Sequence, residues 1–337
     1  MTIQATSSPP SMLADSKGRI ATKLRVSVTD RCNFACLFCM PDKGKISWLP
    51  KEEILGLDEV GQVVRVLSSL GVREVRVTGG EPLLRRGVEG LVSDLVGISG
   101  IDTVAMTTNG WFLAEKAKAL KSAGLEGVTV SLHSLKRERF KTISGVDALA
   151  RVLRGIEAAL SVGIDPVKIN SVAIKGYNDD EVVDLVDYAR SRGVSIRFIE
   201  FMPLDGLGIW SQANLMTGKE ILDAVSNRFK LTDKGRSVGS TAKLWGVDGG
   251  SDFGLITPMS EPFCDDCDRI RLTADGKLLT CLFDTEYHDL RPHLHGGEKE
   301  LKAFIVEAVK RKPEGIGYMP WIRDGWAKPR NMNAIGG

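Results

Sequence analysis

A parallel α/β fold is predicted by three observations: six short β-rich runs, longer amphipathic runs between them, and reactive residue types placed directly after the strands. The runs 24–28, 74–78, 103–107, 128–132, 167–173 and 195–201 read as the six strands. Helical periodicity falls at 50–70, 86–96, 112–122, 148–162 and 179–192; before the last, Asn178-Asp-Asp-Glu181 reads as a capping box. Strands separated by helices call for right-handed βαβ crossovers. This alternation fits an open doubly wound sheet and a partial barrel equally.

Past Asp205-Gly-Leu-Gly208 the rhythm stops. Residues 217–228 read as one helix, 253–283 as short strands and turns, and 297–311 as a further helix before an irregular basic tail. The chain thus divides into a mobile leader (1–20), an α/β body (21–204) and a C-terminal region (205–337) expected to cover the open side of the body.

With 337 residues and 43% hydrophobic content, the core is amply supplied. The leader is polar, without the apolar stretch of a secretory signal, so the six cysteines read as reduced thiols in a cytoplasmic protein. No run of apolar residues reaches membrane-spanning length, and a net charge of +2 gives no general footprint for nucleic acid. Neither a membrane nor a nucleic-acid partner is expected, and an anionic substrate must be met by local Lys and Arg.

Cys32, Cys36 and Cys39, spaced C-x3-C-x2-C after the first strand, offer three thiolates to a [4Fe-4S] cluster and leave one iron for a small molecule. S-adenosylmethionine (SAM) is the evident candidate, being a carrier of radical chemistry. Structural zinc would normally take four protein ligands. Cys264, Cys267 and Cys281 form a second set of three, and here zinc completed by His288, His293 or His295 is an open alternative to a second cluster.

After the second strand comes Thr78-Gly-Gly-Glu-Pro82, whose glycines permit close approach of a ligand and whose Glu81 either locks the loop or accepts a hydrogen bond. Thr107-Thr108-Asn109-Gly110 and Ser131-Leu-His133 place polar groups at the same strand ends, as ligand contacts or as turn residues. Arg25, Arg76, Lys168 and Arg197 are cations embedded in apolar strands, and Arg269 and Arg271 alternate onto one face beyond Cys267. Each needs a carboxylate or a polar cavity, because an unpaired buried charge is costly. Arg197 and Glu200 fall on opposite faces and do not serve one another. Converging, these cations would suit a triphosphate. No G-x4-G-K-[ST] sequence is present, so a nucleotide would not be held by a P-loop.

The first cysteine set with its aromatic Phe38 resembles the radical SAM superfamily, which implies an open partial (β/α)6 barrel of TIM type whose C-terminal region carries a second Fe-S cluster. The resemblance narrows on Leu24-Arg-Val-Ser-Val-Thr-Asp-Arg-Cys32, Thr78-Gly-Gly-Glu-Pro82, Val167-Lys-Ile-Asn170, Gly176-Tyr-Asn-Asp-Asp180, Arg197-Phe-Ile-Glu-Phe-Met-Pro203, the second cysteine block and the terminal Gly336-Gly337. Together these are similar to the GTP 3′,8-cyclase family of molybdenum cofactor biosynthesis.

That resemblance implies two [4Fe-4S] clusters, SAM cleaved to a 5′-deoxyadenosyl radical, hydrogen abstraction from C3′ of GTP, and closure of C3′ onto C8 of guanine. The product is (8S)-3′,8-cyclo-7,8-dihydroguanosine 5′-triphosphate. It further implies SAM contacts at Phe38, Gly80, Ser131 and Met202, and GTP contacts at Arg25, Arg76, Thr107, Lys168, Arg197, Arg269, Ile270 and Arg271. The second cluster would bind guanine at its free iron, and the Gly-Gly tail would reach the site. The product would pass to cyclic pyranopterin monophosphate synthase, with an unidentified electron donor upstream; a homodimer is compatible with this reading. Three positions depart from the family's usual residues: Phe38 for Tyr, His133 for Asp, and Glu74 for Lys, the last removing a positive charge near the expected phosphates. Competing readings are a peptide-modifying radical SAM maturase, which would tend to carry more C-terminal cysteines, and a non-catalytic Fe-S or zinc scaffold.

Overall fold

The computed structural model describes residues 12–40, 44, 46–205, 208–248, 250, 252–318 and 332–336. Six parallel strands lie side by side in chain order: β1 (Lys23–Ser27), β2 (Glu74–Thr78), β3 (Thr103–Thr108), β4 (Gly127–Ser131), β5 (Val167–Ala173) and β6 (Ser195–Glu200). Each matches its sequence expectation to within one residue at either end. The intervening helices are α1 (Leu57–Ser69), α2 (Val88–Val96), α3 (Leu113–Ser122), α4 (Arg137–Ser144), α5 (Leu149–Ser161) and α6 (Val182–Ser191).

Helical stripes bury against the outer face of the sheet. In α1 the stripe is Val60, Val63, Val64 and Leu67, and in α5 it is Leu149, Val152, Ile156 and Ala159. The expected 50–70 helix is interrupted: Lys51–Glu53 form a separate 3-10 turn, and α1 starts after Gly56, whose N–H donates to the Glu59 carboxylate at 2.7 Å. Helix α4 was not anticipated, because Phe140 and Ile143 are the only buried apolar side chains of Arg-Glu-Arg-Phe-Lys-Thr-Ile-Ser and mark no stripe.

The capping box expected at Asn178 is corrected by the structure. Asn178 accepts from the Ile174 N–H and donates to the carbonyls of His133 and Val172, all at 2.8 Å. Buried Glu181 accepts from Ser134 Oγ at 2.8 Å and the Leu135 N–H at 2.9 Å. Both side chains tie the end of β5 to the loop after β4 instead of closing a helix on itself.

The region after 205 extends the same sheet at both of its ends. Strand β10 (Arg269–Leu272) pairs parallel with β1, and β9 (Phe253–Ile256) pairs parallel with β6. Beyond β9 follow β8 (Lys243–Val247) and β7 (Leu231–Gly235); beyond β10 follow β11 (Lys277–Leu279) and β12 (His288–Asp289), all antiparallel. The polar β7 sequence Leu-Thr-Asp-Lys-Gly shows no alternation, which is why this edge hairpin escapes a pattern reading. The sheet remains open, ending at β12 and β7. It nevertheless curls, since Arg25 on β1 and Arg197 on β6 line one cavity.

The leader is corrected for residues 12–20, while 1–11 lie outside the described residues. Leu13 is buried in the core, Ala14 bridges Ile20, and the buried Asp15–Arg19 ion pair anchors the turn. The basic tail 319–331 and Gly337 also lie outside the described residues. No helix among those described is long and apolar enough to cross a membrane.

Candidate functional site

All six cysteines line a single cavity at the carboxyl ends of the parallel strands, and none is disulfide-bonded. The first set occupies the β1–α1 loop. Its backbone is fixed by the unanticipated helix α4: Ala35 N–H donates to Ser144 O at 2.9 Å and Leu37 N–H to Ile143 O at 3.0 Å. A turn closes Cys39 N–H onto Cys36 O at 3.0 Å. Burial, with Cys32 nearby, pushes the Cys39 thiol up to about 12, and burial pushes Cys281 up to about 11. Burial works against ionising Cys267 too, yet Arg269 and Lys312 hold it below the ordinary thiol range.

This donor set fits clusters better than zinc. Each group offers three thiols; among the described residues no three or more His, Cys, Asp or Glu are arranged around a single metal ion. Mononuclear zinc needs such convergence, whereas cubane thiolates bind separate irons. None of the three histidines considered as a fourth ligand lines the cavity; His293, for one, stacks on Phe304 and bonds Glu300 at 2.7 Å.

In the Gly-Gly-Glu loop both glycines pack closely on the chain ahead of Cys32, and Glu81 takes the locking role of the two read from the sequence. A Cβ on Gly80 would lie 2.4 Å from Arg31 O, and one on Gly79 would lie 2.7 Å from Thr29 O. The close approach is therefore to the backbone that leads into Cys32, reinforced by Gly80 N–H to Thr29 O at 2.7 Å and Glu81 N–H to Arg31 O at 2.8 Å. Glu81 locks the assembly, accepting from Leu83 N–H at 3.0 Å, Thr108 Oγ1 at 2.7 Å and Asn109 N–H at 2.7 Å. Burial raises its carboxyl to about 7 against these donors. Asn109, read from sequence as a turn residue or ligand contact, also reaches Cys32 Sγ at 3.7 Å.

Strand register gathers the cations. Arg271, Arg25 and Arg76 form one row across β10, β1 and β2. Thr107, Thr129 and Lys168 form a second across β3 to β5, and Ser131, Asn170 and Arg197 a third across β4 to β6. In-register neighbours share a face. Gly254 opposite Arg197 leaves that side chain its room, since a Cβ there would stand 3.2 Å from Arg197 Cγ.

Among the described residues Arg25, Arg76, Lys168, Arg197 and Arg271 have no ion pair; Arg269 meets Asp268 at 3.5 Å. Burial, then repulsion from Arg271, Arg76, Arg269 and Arg197, holds Arg25 well below the ordinary arginine range. Burial lowers Arg76 and Arg271 each to about 10, and burial with Arg197 and Arg76 nearby lowers Lys168 to about 8. Arg197 Nε is buried without a partner among the described residues. Carboxylates therefore do not resolve this charge: Glu200 is committed elsewhere, to the N–H groups of Gly218, Met259 and Ser260 at 2.9–3.0 Å.

Phe38, Gly80, Ser131, Met202 and Thr107 all line the cavity, as do Arg25, Arg76, Arg197, Arg269 and Arg271. Lys168 shares their electrostatic field without forming the wall. Ile270 is the correction: strand alternation turns its side chain into the hydrophobic core, where it is 1% exposed. Phe38 meets His133 edge-on at 4.7 Å. His133 Nδ1 accepts the Val172 N–H at 3.1 Å, and burial lowers the ring to about 4, so it is neutral with its proton on Nε2. Glu74 stands at the exposed start of β2, 3.8 Å from Lys23, away from the cavity wall. Arg271 Nη1 donates to the Gly336 carbonyl, so the penultimate tail residue is in the site; Gly337 is not among the described residues.

The curled parallel sheet, with three thiols after its first strand, defines a radical SAM enzyme, and residues 26–189 match the Radical SAM superfamily model. Residues 194–318 match the model described as Molybdenum Cofactor Synthesis C. The chain is 42% identical over 330 residues to the GTP 3′,8-cyclase of Pelotomaculum thermopropionicum, covering 96% of this chain and 100% of the relative. It is 43% identical to the GTP 3′,8-cyclase of Streptomyces coelicolor, covering 97% of this chain and 96% of that one. The chain belongs to the GTP 3′,8-cyclase family. In fold it resembles Streptococcus suis SuiB bound to precursor peptide SuiA, with a TM-score of 0.63 at 14% identity over 94% of this chain and 76% of that one.

Proposed function

We propose that the cavity holds GTP between two [4Fe-4S] clusters, with SAM on the first, for the cyclisation that opens molybdenum cofactor biosynthesis. The observation that supports this most directly is a row of cations with no carboxylate partner among the described residues, beside the second cysteine set. Arg25, Arg76, Arg197, Arg269 and Arg271, with Lys168 behind them, would bind and orient the triphosphate, whose charge relieves their mutual repulsion. Cys32, Cys36 and Cys39 would hold the first cluster, and Cys264, Cys267 and Cys281 the second, leaving one iron of each for SAM and for guanine. When bound, cluster and SAM supply the 5′-deoxyadenosyl radical that takes the ribose C3′ hydrogen.

Phe38, Gly80, Ser131 and Met202 form the SAM side, with Thr107 on the shared wall. Phe38 supplies an apolar face and no hydroxyl, and neutral His133 beside it on the wall adds no charge. Gly336 accepting from Arg271 brings the tail to the nucleotide side. The enzyme draws on a low-potential electron donor and passes its product to cyclic pyranopterin monophosphate synthase.

An anaerobic assay of reconstituted protein with SAM, reductant and each nucleoside triphosphate tests this reading. 5′-Deoxyadenosine formation that requires GTP, lost in Arg271→Ala while both clusters persist, is the expected result. SAM cleavage indifferent to GTP would overturn the substrate assignment.

A further inference from the structure

Behind the second cysteine set, outside the cavity wall, two buried cations meet the loop that carries Cys264 and Cys267. Arg19 donates to Cys264 O at 3.0 Å, Pro313 O at 2.7 Å and Glu314 O at 2.8 Å, and its charge is balanced by Asp15 at 2.5 Å. Lys312 is 4% exposed and donates to Cys267 O and Arg269 O, both at 2.8 Å. Unlike Arg19, it has no carboxylate within ion-pairing distance among the described residues.

Two carbonyl dipoles do not neutralise a buried ammonium, and a charge in that position needs an anion nearby. The sulfur ligands supply one: an oxidised cubane on three thiolates carries one net negative charge, and a second after one-electron reduction. Gly315 keeps the strap tight over the ligands, since a Cβ there would stand 2.6 Å from Cys264 Cβ.

We propose that Lys312 is the resident counter-ion of the second cluster, a positioning residue that favours the reduced state without touching substrate. Arg269 and Arg271 face the cavity and are available to a nucleotide, whereas Lys312 is walled off behind the loop and acts on the cluster alone. The inference rests on the two-cluster reading above.

The test is a spectroscopic redox titration with dithionite as one-electron donor, using full-length protein with Cys32, Cys36 and Cys39 all changed to Ala so that only the second cluster remains. Lys312→Met and Lys312→Gln should each show about a tenfold lower ratio of reduced to oxidised cluster at the parent midpoint, a downward shift of about 59 mV. Lys312→Arg should stay with the parent. Gln keeps an amide donor for the Cys267 and Arg269 carbonyls, so a Gln variant that titrates like the parent would reduce Lys312 to a hydrogen-bonding strut and refute the proposal. Loss of the cluster from Met and Gln but not Arg supports it; loss from all three, charge retained or not, refutes it. Iron analysis separates the underlying reading: wild-type protein with about four irons rather than about eight per chain has no second cluster, and the inference falls with it.

Discussion

Replacing Arg25 by Met should make the unliganded protein more stable and GTP binding weaker. Arg25 stands in register between Arg76 and Arg271, one strand spacing from each, with no hydrogen-bond acceptor among the described residues. Charges about 7 Å apart at an effective dielectric of about 20 repel by about 2 kcal/mol per pair, so two neighbours give on the order of 4 kcal/mol. Water in the cavity reduces this to roughly 2 kcal/mol, and Met retains the unbranched stem. The same guanidinium would contribute about 1.5–3 kcal/mol to a phosphate, a ten- to hundredfold change in affinity. Anaerobic thermal unfolding of cluster-loaded protein, with and without inorganic triphosphate, reads both terms. Wild type should gain about 2.7 kcal/mol when the polyanion is at a hundred times its dissociation constant. At that same concentration the variant should start higher and gain much less. A variant that is less stable than wild type and responds equally to triphosphate would show that Arg25 is structural and would refute the charge argument.

Gly80→Ala forces a Cβ to within 2.4 Å of Arg31 O, a backbone atom with nowhere to go, so at least 1–3 kcal/mol of stability and the first cluster's iron should be lost together; normal iron content would dismiss the packing account. For His133 the ring pKa lies below its unfolded value, so stability is complete above about pH 6.5 and falls as pH drops through about 4. His133→Asn, which keeps an acceptor for the Val172 N–H, should remove about 3 kcal/mol of that acid-dependent loss, visible as a flatter stability profile between those pH values. Glu74→Lys should strengthen GTP binding severalfold by raising the local positive potential, at the cost of the Lys23 contact; unchanged affinity by calorimetry would place Glu74 beyond the reach of the phosphates.

Much of the site was legible in the chain because its signals are chemical and local. Cys32, Cys36 and Cys39 announce a cluster by their spacing, and Lys168 and Arg197 stand out because apolar strands do not otherwise hold cations. Ile270 was misplaced with its neighbours because a strand sends adjacent side chains to opposite faces, and only the core position of β10 shows which face is which. The roles of Gly79 and Gly80 were half legible: sequence predicts a close approach there, but not that the partner is the backbone of Thr29 and Arg31.

The six-strand parallel rhythm, the two sets of three thiols and the inventory of cations can be read directly along the chain, since periodicity and residue type are properties of short stretches. Only the folded chain shows that Arg25, Arg76 and Arg271 share a row, that Glu181 and Asn178 clamp two strand ends instead of capping a helix, and that Lys312 reaches the Cys267 carbonyl across 45 residues. Strand register and long-range closure depend on how distant surfaces bury one another, and no local pattern encodes that pairing.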